Sequence, residues 1–135
     1  MTLKVKPCVM AVDDDSLFLR YLRRALERGG YSPVTVDDPS DAVEHVRDDH
    51  PDLVLLDVRM PGVSGFDLYA LIKKVSRVPV IFLSASNRQE DRYRALEMGA
   101  AEYMVKPVTP AGLLTAIDAA LDDQTSHVTE HRNAG

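Results

Sequence analysis

The stretch Val54-Leu55-Leu56-Asp57-Val58-Arg59-Met60-Pro61-Gly62 decides the fold. A branched apolar run ends in one carboxylate, and a proline-glycine turn follows within a few residues. This reads as a strand that delivers Asp57 to its C-terminal tip. Two further apolar runs end in matching chemistry. Val9-Met10-Ala11-Val12 runs into Asp13-Asp14-Asp15, and Tyr103-Met104-Val105 runs into Lys106-Pro107. In an open parallel sheet, ligands bind in the crevice outside the carboxyl ends of the strands. Three carboxylates and one lysine are therefore expected in a single small space.

Around that stretch, apolar runs alternate with amphipathic ones. Strands are predicted at 8–12, 33–36, 53–57, 79–84 and 102–105, because these runs are short, rich in β-branched residues and almost continuously apolar. Helices are predicted at 16–28 (Phe18, Leu22, Ala25 and Leu26 inward), 40–49 (Ala42, Val43, Val46) and 65–75 (Leu68, Leu71, Ile72, Val75). Two more are predicted at 88–98, with a thin apolar stripe of Tyr93, Ala95, Leu96 and Met98, and at 110–122, with Leu113, Leu114, Ile117 and Leu121 inward. Ser16 is a plausible N-cap of the first helix, Asp15 serves capping, and Gly29-Gly30 ends it. Five β-α units in series imply an α/β, flavodoxin-like doubly wound (βα)5 fold with a five-stranded parallel sheet of order 2-1-3-4-5. The switch point of that order lies between the strands carrying Asp13, Asp14 and Asp57. Residues 1–122 form one domain in this reading. Residues 123–135 lack an apolar period and read as a frayed tail or the stub of a linker.

A chain of 135 residues suits one domain with a real core. No apolar run approaches the roughly 20 residues that span a membrane. The N-terminus lacks the long apolar region and cleavage site of a signal peptide. A single cysteine, Cys8, rules out an internal disulfide framework and suits a reducing cytoplasm; at the start of an apolar strand it reads as a buried small hydrophobe. The net charge of −5 argues against nucleic-acid binding by this domain. Arg20, Arg23, Arg24 and Arg28 form a basic side of the first helix, which reads as a solvated face or a surface for a partner protein.

Carboxylates crowded at strand tips repel one another, and one of them would take up a proton if left alone. A hard divalent cation gives them a shared partner. Mg²⁺ prefers oxygen ligands, one or two of them carboxylates, together with waters and a phosphate oxygen. Asp13, Asp14 and Asp57 suit that description. Lys106 can balance a carboxylate or an added phosphoryl group, and Ser84, at the end of Val80-Ile81-Phe82-Leu83, can donate to a phosphoryl oxygen. His45 and His50 lie on the polar side of the second helix and at its end and are poor phosphotransfer candidates. His127 and His131 have helical metal-ligand spacing, but with no prepared cysteine or carboxylate site they read as a coincidence of the tail.

From Cys8 to Leu121 the chain resembles a receiver domain of a two-component response regulator, the chemotaxis-regulator-like receiver family. Val12-Asp13-Asp14-Asp15 resembles the family's acidic motif, and Leu56-Asp57-Val58-Arg59-Met60-Pro61-Gly62 its phosphoacceptor loop. Ser64-Gly65 fits the start of the following helix. Leu83-Ser84-Ala85 resembles the switch hydroxyl segment, and Gly99 to Pro107 the switch aromatic and lysine segment. The resemblance implies Mg²⁺-dependent transfer of a phosphoryl group to Asp57 from a sensor histidine kinase or phosphotransfer protein. It implies metal ligation by Asp13 or Asp14, Asp57 and the Arg59 carbonyl, and phosphoryl contacts from Lys106, Ser84 and the N–H after Ser84. Arg59 and Ser86 are the positions expected to tune phosphate lifetime. Ser84 and Tyr103 are expected to switch the face made by the fourth helix, fifth strand and fifth helix. That face would act on a downstream effector or linked output domain, or support a phosphorylation-dependent homodimer. Lys106-Pro107 is expected to be cis.

The sequence departs from the common family pattern in three places. The switch hydroxyl is serine where threonine is frequent. Val108 stands where an aromatic is common. Helix five carries Asp118, Asp122 and Asp123 and no lysine or arginine, unlike the charge-paired dimer face of one large DNA-binding subgroup. Two enzyme or cofactor readings fail on particular residues. An aspartate-nucleophile phosphatase needs a second aspartate two residues after the nucleophile, where Arg59 stands. A flavin or nucleotide binder needs a phosphate cradle after the first strand, where Asp13-Asp14-Asp15 would repel a phosphate. The remaining alternative is a receiver fold used as a phosphorylation-independent interaction module.

Overall fold

In the computed structural model the apolar runs form five parallel strands: β1 Cys8–Val12, β2 Ser32–Val36, β3 Leu53–Asp57, β4 Val80–Ser84 and β5 Glu102–Val105. The structure describes the backbone of residues 6–134 and the side chains of residues 6–124. The order across the sheet is β2-β1-β3-β4-β5, as the sequence predicts. Helices α1 Ser16–Arg28, α2 Ala42–Asp49, α3 Gly65–Val75, α4 Gln89–Glu97 and α5 Pro110–Ala134 follow the strands in turn.

Alternation along the strands sorts their side chains onto two faces. Met10, Val12, Val54, Leu56, Val80 and Phe82 pack with side chains of α2, α3 and α4. Val9, Ala11, Leu53, Leu55, Ile81 and Leu83 pack with α1 and α5. Both faces of β1, β3 and β4 are covered, which is why those runs are almost continuously apolar, while the edge strands β2 and β5 are only partly buried. Each fully buried Leu, Ile or Phe contributes roughly 1.5–3 kcal/mol, so this double core anchors the strand tips that carry the polar residues.

Several local expectations need correction. Asp15, not Ser16, is the N-cap of α1: its carboxylate accepts from the N–H groups of Leu17 and Phe18. Cys8 is only partly buried, because it opens its strand at the rim, where its N–H donates to Asp52. On α3, Leu71 and Val75 are exposed, while Phe66, Leu68, Tyr69 and Ile72 fill the core. The inward stripe of α3 is thus centred on its aromatic residues. Tyr93 and Leu96 of α4 also face outward, leaving Ala95 as its buried residue. Helix α5 continues to Ala134, past the end expected at 122. After Gly112 the sequence through Ala134 holds neither proline nor glycine, so no breaker stops it. The side chains of His127 and His131 lie outside the described residues.

One small element was not foreseen. Arg59–Met60 and Val63–Ser64 pair as a two-stranded antiparallel hairpin. Pro61 and Gly62 form its turn, and Gly62 has φ +77°, the left-handed value that the third position of a type II turn requires.

Candidate functional site

Strand register explains why distant residues meet. Val12 is paired with Leu56, Asp57 with Leu83, and Ser84 with Val105. Asp13 therefore follows its strand beside Asp57, and Lys106 emerges one residue past the partner of Ser84. The Lys106 N–H donates to the Ser84 carbonyl at 2.8 Å, extending the ladder to the tip.

Carboxylate oxygens of Asp13, Asp14 and Asp57 lie within 4.8 Å of one another. Asp13 and Asp57 are buried, while Asp14 faces solvent. The Lys106 ammonium donates to Asp13 Oδ2 at 2.8 Å and to Asp57 Oδ2 at 3.3 Å. It also stands 4.2 Å from the centre of the Phe18 ring, a cation–π contact that holds its stem over α1. The other oxygen of Asp57 accepts from the Arg59 N–H at 3.3 Å, and Asp13 Oδ1 accepts from the Asp15 N–H at 2.9 Å.

The electrostatics follow from this crowding. Burial, reinforced by the Asp13 charge, pushes the Asp57 carboxyl above its ordinary value, and Lys106 and the Arg59 N–H only partly oppose that. For Lys106, burial pulls the ammonium down. Its bond to Asp13 and the charges of Asp13 and Asp57 outweigh burial and leave it above its ordinary value. One lysine thus serves two buried carboxylates with a third carboxylate close by. Three hard oxygen donors around one point, short of positive charge, fit a divalent cation such as Mg²⁺.

Ser84 is fully buried at the tip of β4, where its Oγ accepts from the Ser86 N–H at 3.1 Å. Tyr103 lies inward, 2% exposed, and its hydroxyl donates to the Ser86 carbonyl at 2.8 Å. Arg59 and Ser86 do not aim their side chains at Asp57. Both turn to Asp91 in the first turn of α4: the Ser86 hydroxyl donates to Asp91 Oδ2 at 2.6 Å, and the Arg59 guanidinium lies 3.6 Å from the same oxygen. The Lys106–Pro107 peptide is cis, as the resemblance implies.

Three residues have a part in the site that a reading of the sequence does not give them. Asp91 looks like an ordinary acidic residue at a helix N-terminus. Phe18 looks like a core aromatic. Gly65 gives more of a signal, since it opens a helix directly after the Ser64 N-cap. A Cβ there would sit 2.1 Å from the Asp57 carbonyl oxygen, so only glycine lets α3 start against the Asp57 backbone.

Residues 9–118 match the family model "Response regulator receiver domain". The chain is 35% identical over 116 residues to the phosphate regulon transcriptional regulatory protein PhoB of Escherichia coli (strain K12), covering 84% of this chain and 51% of that protein. It is 38% identical over 119 residues to the probable transcriptional regulator ycf27 of Guillardia theta, covering 88% of this chain and 47% of that protein. The chain spans about half the length of the curated relatives it matches. Among solved structures, a response regulator receiver domain protein from Clostridium thermocellum superposes with a TM-score of 0.83 at 29% identity, covering 88% of this chain and 97% of that one. A CheY-like receiver domain protein from Methanospirillum hungatei superposes with a TM-score of 0.85 at 26% identity, covering 91% and 99%.

Proposed function

The chain belongs to the response regulator receiver domain family, and from that premise we propose that Asp57 is its phosphoacceptor, loaded by a sensor histidine kinase or a phosphotransfer protein. One observation carries the proposal: Asp13, Asp14 and Asp57 converge within 4.8 Å, with Lys106 bonded to two of them. An interaction module independent of phosphorylation would have no need to bury mutually repelling carboxylates around a lysine.

In the proposed reaction a carboxylate oxygen of Asp57 attacks phosphorus in line. The bond from phosphorus to the donor's leaving nitrogen breaks, and the leaving imidazole keeps the electron pair. The product is an acyl phosphate on Asp57. Phosphoryl transfer needs little beyond positioning and charge neutralisation. The bond from the Arg59 N–H to Asp57 orients the nucleophile, and Lys106 is within reach of the added oxygens. The Ser84 hydroxyl and the backbone N–H after it are assigned to the remaining oxygens. Asp13, Asp14, Asp57 and the Arg59 carbonyl would hold Mg²⁺, which supplies positive charge against the incoming phosphoryl group. The later hydrolysis of the acyl phosphate occurs on the same residues, so the domain acts on itself and is not an enzyme toward other substrates.

The output follows from the contacts of Ser86. Drawing Ser84 toward a phosphoryl group moves the loop whose carbonyl holds the Tyr103 hydroxyl. The α4–β5–α5 face then changes and acts on an effector, either separate or linked in the same polypeptide. A phosphorylation-dependent homodimer through this face belongs to the same reading. Residues 1–122 are assigned to the receiver domain, within which the family match over 9–118 falls, and 123–135 to a polar tail or linker stub. A cytoplasmic location fits the single cysteine. No helix among the described residues is long and apolar enough to cross a membrane.

Intact mass after incubation with Mg²⁺ and a small acyl-phosphate donor tests the proposal. One added phosphoryl group is expected, lost when Mg²⁺ is chelated and lost in Asp57→Asn. Failure to form the adduct, together with failure to bind beryllofluoride, would return the chain to the phosphorylation-independent alternative.

A further inference from the structure

Asp91 is a side chain that the proposed reaction does not use, yet it holds two that flank it. Its carboxylate is largely buried on α4, with the Ser86 hydroxyl bonded to one oxygen and the Arg59 guanidinium 3.6 Å from that same oxygen. The Arg59 side chain is otherwise exposed, at 64%, and its own N–H is on Asp57. Without Asp91 the guanidinium is free to turn from α4 toward a doubly charged group on Asp57. Such a turn would place a planar, bidentate donor over the phosphoryl oxygens.

We infer that Asp91 is a positioning residue: it keeps Arg59 and Ser86 turned toward α4, leaves the phosphoryl face open to water, and so shortens the life of the acyl phosphate. The inference rests on the proposed phosphorylation of Asp57. Asp91 reaches two different loops through a single carboxylate. A carboxylate serving only as a dipole cap would need neither contact.

Asp91→Asn isolates the charge, because the amide oxygen still accepts from Ser86 but no longer attracts Arg59. The full chain is loaded with a small acyl-phosphate donor and Mg²⁺, the donor is removed, and the adduct is followed by intact mass. Asp91→Asn is expected to lengthen the half-life roughly threefold at low salt, the scale of one partly exposed ion pair. The difference should narrow at high salt, because the pair is screened. Adding Arg59→Ala to Asp91→Asn should abolish the lengthening, and Asp91→Glu should stay near the parent. A parent adduct with an unchanged Asp91→Asn half-life overturns this inference alone. Equal shifts in the Asn and Glu variants also overturn it, since they would report only a disturbed helix. A parent that neither forms an adduct nor binds beryllofluoride overturns this inference and the phosphoacceptor reading together.

Discussion

The Lys106 ammonium is bonded to Asp13 at 2.8 Å, closer than its 3.3 Å to Asp57. The lysine is thus anchored on Asp13 and reaches the proposed acceptor from there, so its charge is in place before any phosphoryl group arrives. Preorganised charge is worth most where no reorganisation is needed during reaction.

Lys106→Met keeps the side-chain length over Phe18 and removes that charge. Phosphorylation by a small acyl-phosphate donor should slow by roughly a hundredfold, the scale of losing one preorganised donor. A time course of adduct formation checks this. An unchanged rate would mean that Lys106 only neutralises Asp13.

The position of the Asp57 carboxyl has a signed consequence for stability. Burial and Asp13 raise it in the folded state above its ordinary 3.8. Between 3.8 and the raised value the folded chain binds more protons than the unfolded chain. Stability therefore falls as pH rises through that window, and the loss persists at neutral pH. Asp57→Asn cannot ionise. In the absence of Mg²⁺ it should melt higher than the parent at neutral pH, by about 2–8 °C if roughly 1 kcal/mol is recovered. The difference should vanish below the ordinary carboxylate value. Thermal melts across pH test both parts, and a variant less stable at neutral pH would contradict the electrostatic account.

Divalent cations should relieve the same repulsion. Mg²⁺ at a hundred times its Kd should stabilise the parent by about 2.7 kcal/mol. Asp14→Ala removes an exposed donor without opening the core, so it should fold normally and lose most of that gain. A Mg²⁺ titration of the melting temperature distinguishes the two proteins.

The sheet order was legible in the sequence because five apolar runs alternate with five amphipathic ones, and four of those runs lead to a polar residue that apolar packing cannot explain: Asp13, Asp57, Ser84 and Lys106. Periodicity failed where aromatics and aliphatics compete for one stripe, as on α3, where Phe66 and Tyr69 take the core and leave Leu71 and Val75 outside. It also ended α5 too early, at 122, since polarity alone does not stop a helix that lacks a breaker. The network through Asp91 was illegible for a different reason. A carboxylate in the first turn of a helix already has a sufficient local explanation, and only the folded chain shows Ser86 and Arg59 sharing it.

Gly65 ties the hairpin loop to the acceptor. Its N–H donates to the Val58 carbonyl at 2.7 Å, and any Cβ would meet the Asp57 carbonyl at 2.1 Å. Gly65→Ala should cost more than about 2 kcal/mol, a large value for a one-carbon change. It should also weaken Mg²⁺ binding, because the Asp57 backbone must shift. Denaturant unfolding reads the first effect and the metal titration the second. A neutral substitution would show that the loop accommodates the methyl without moving Asp57.

The central claim is that Asp57 itself carries the phosphoryl group. It is tested most directly by loading the chain with an acyl-phosphate donor and Mg²⁺, reducing the product with borohydride, and sequencing all aspartate-containing peptides, those with Asp13, Asp14 and Asp57 included, by mass spectrometry. An aspartyl phosphate at Asp57 should appear as homoserine at that position and at no other aspartate. Homoserine at Asp13 or Asp14 with Asp57 intact would contradict the account.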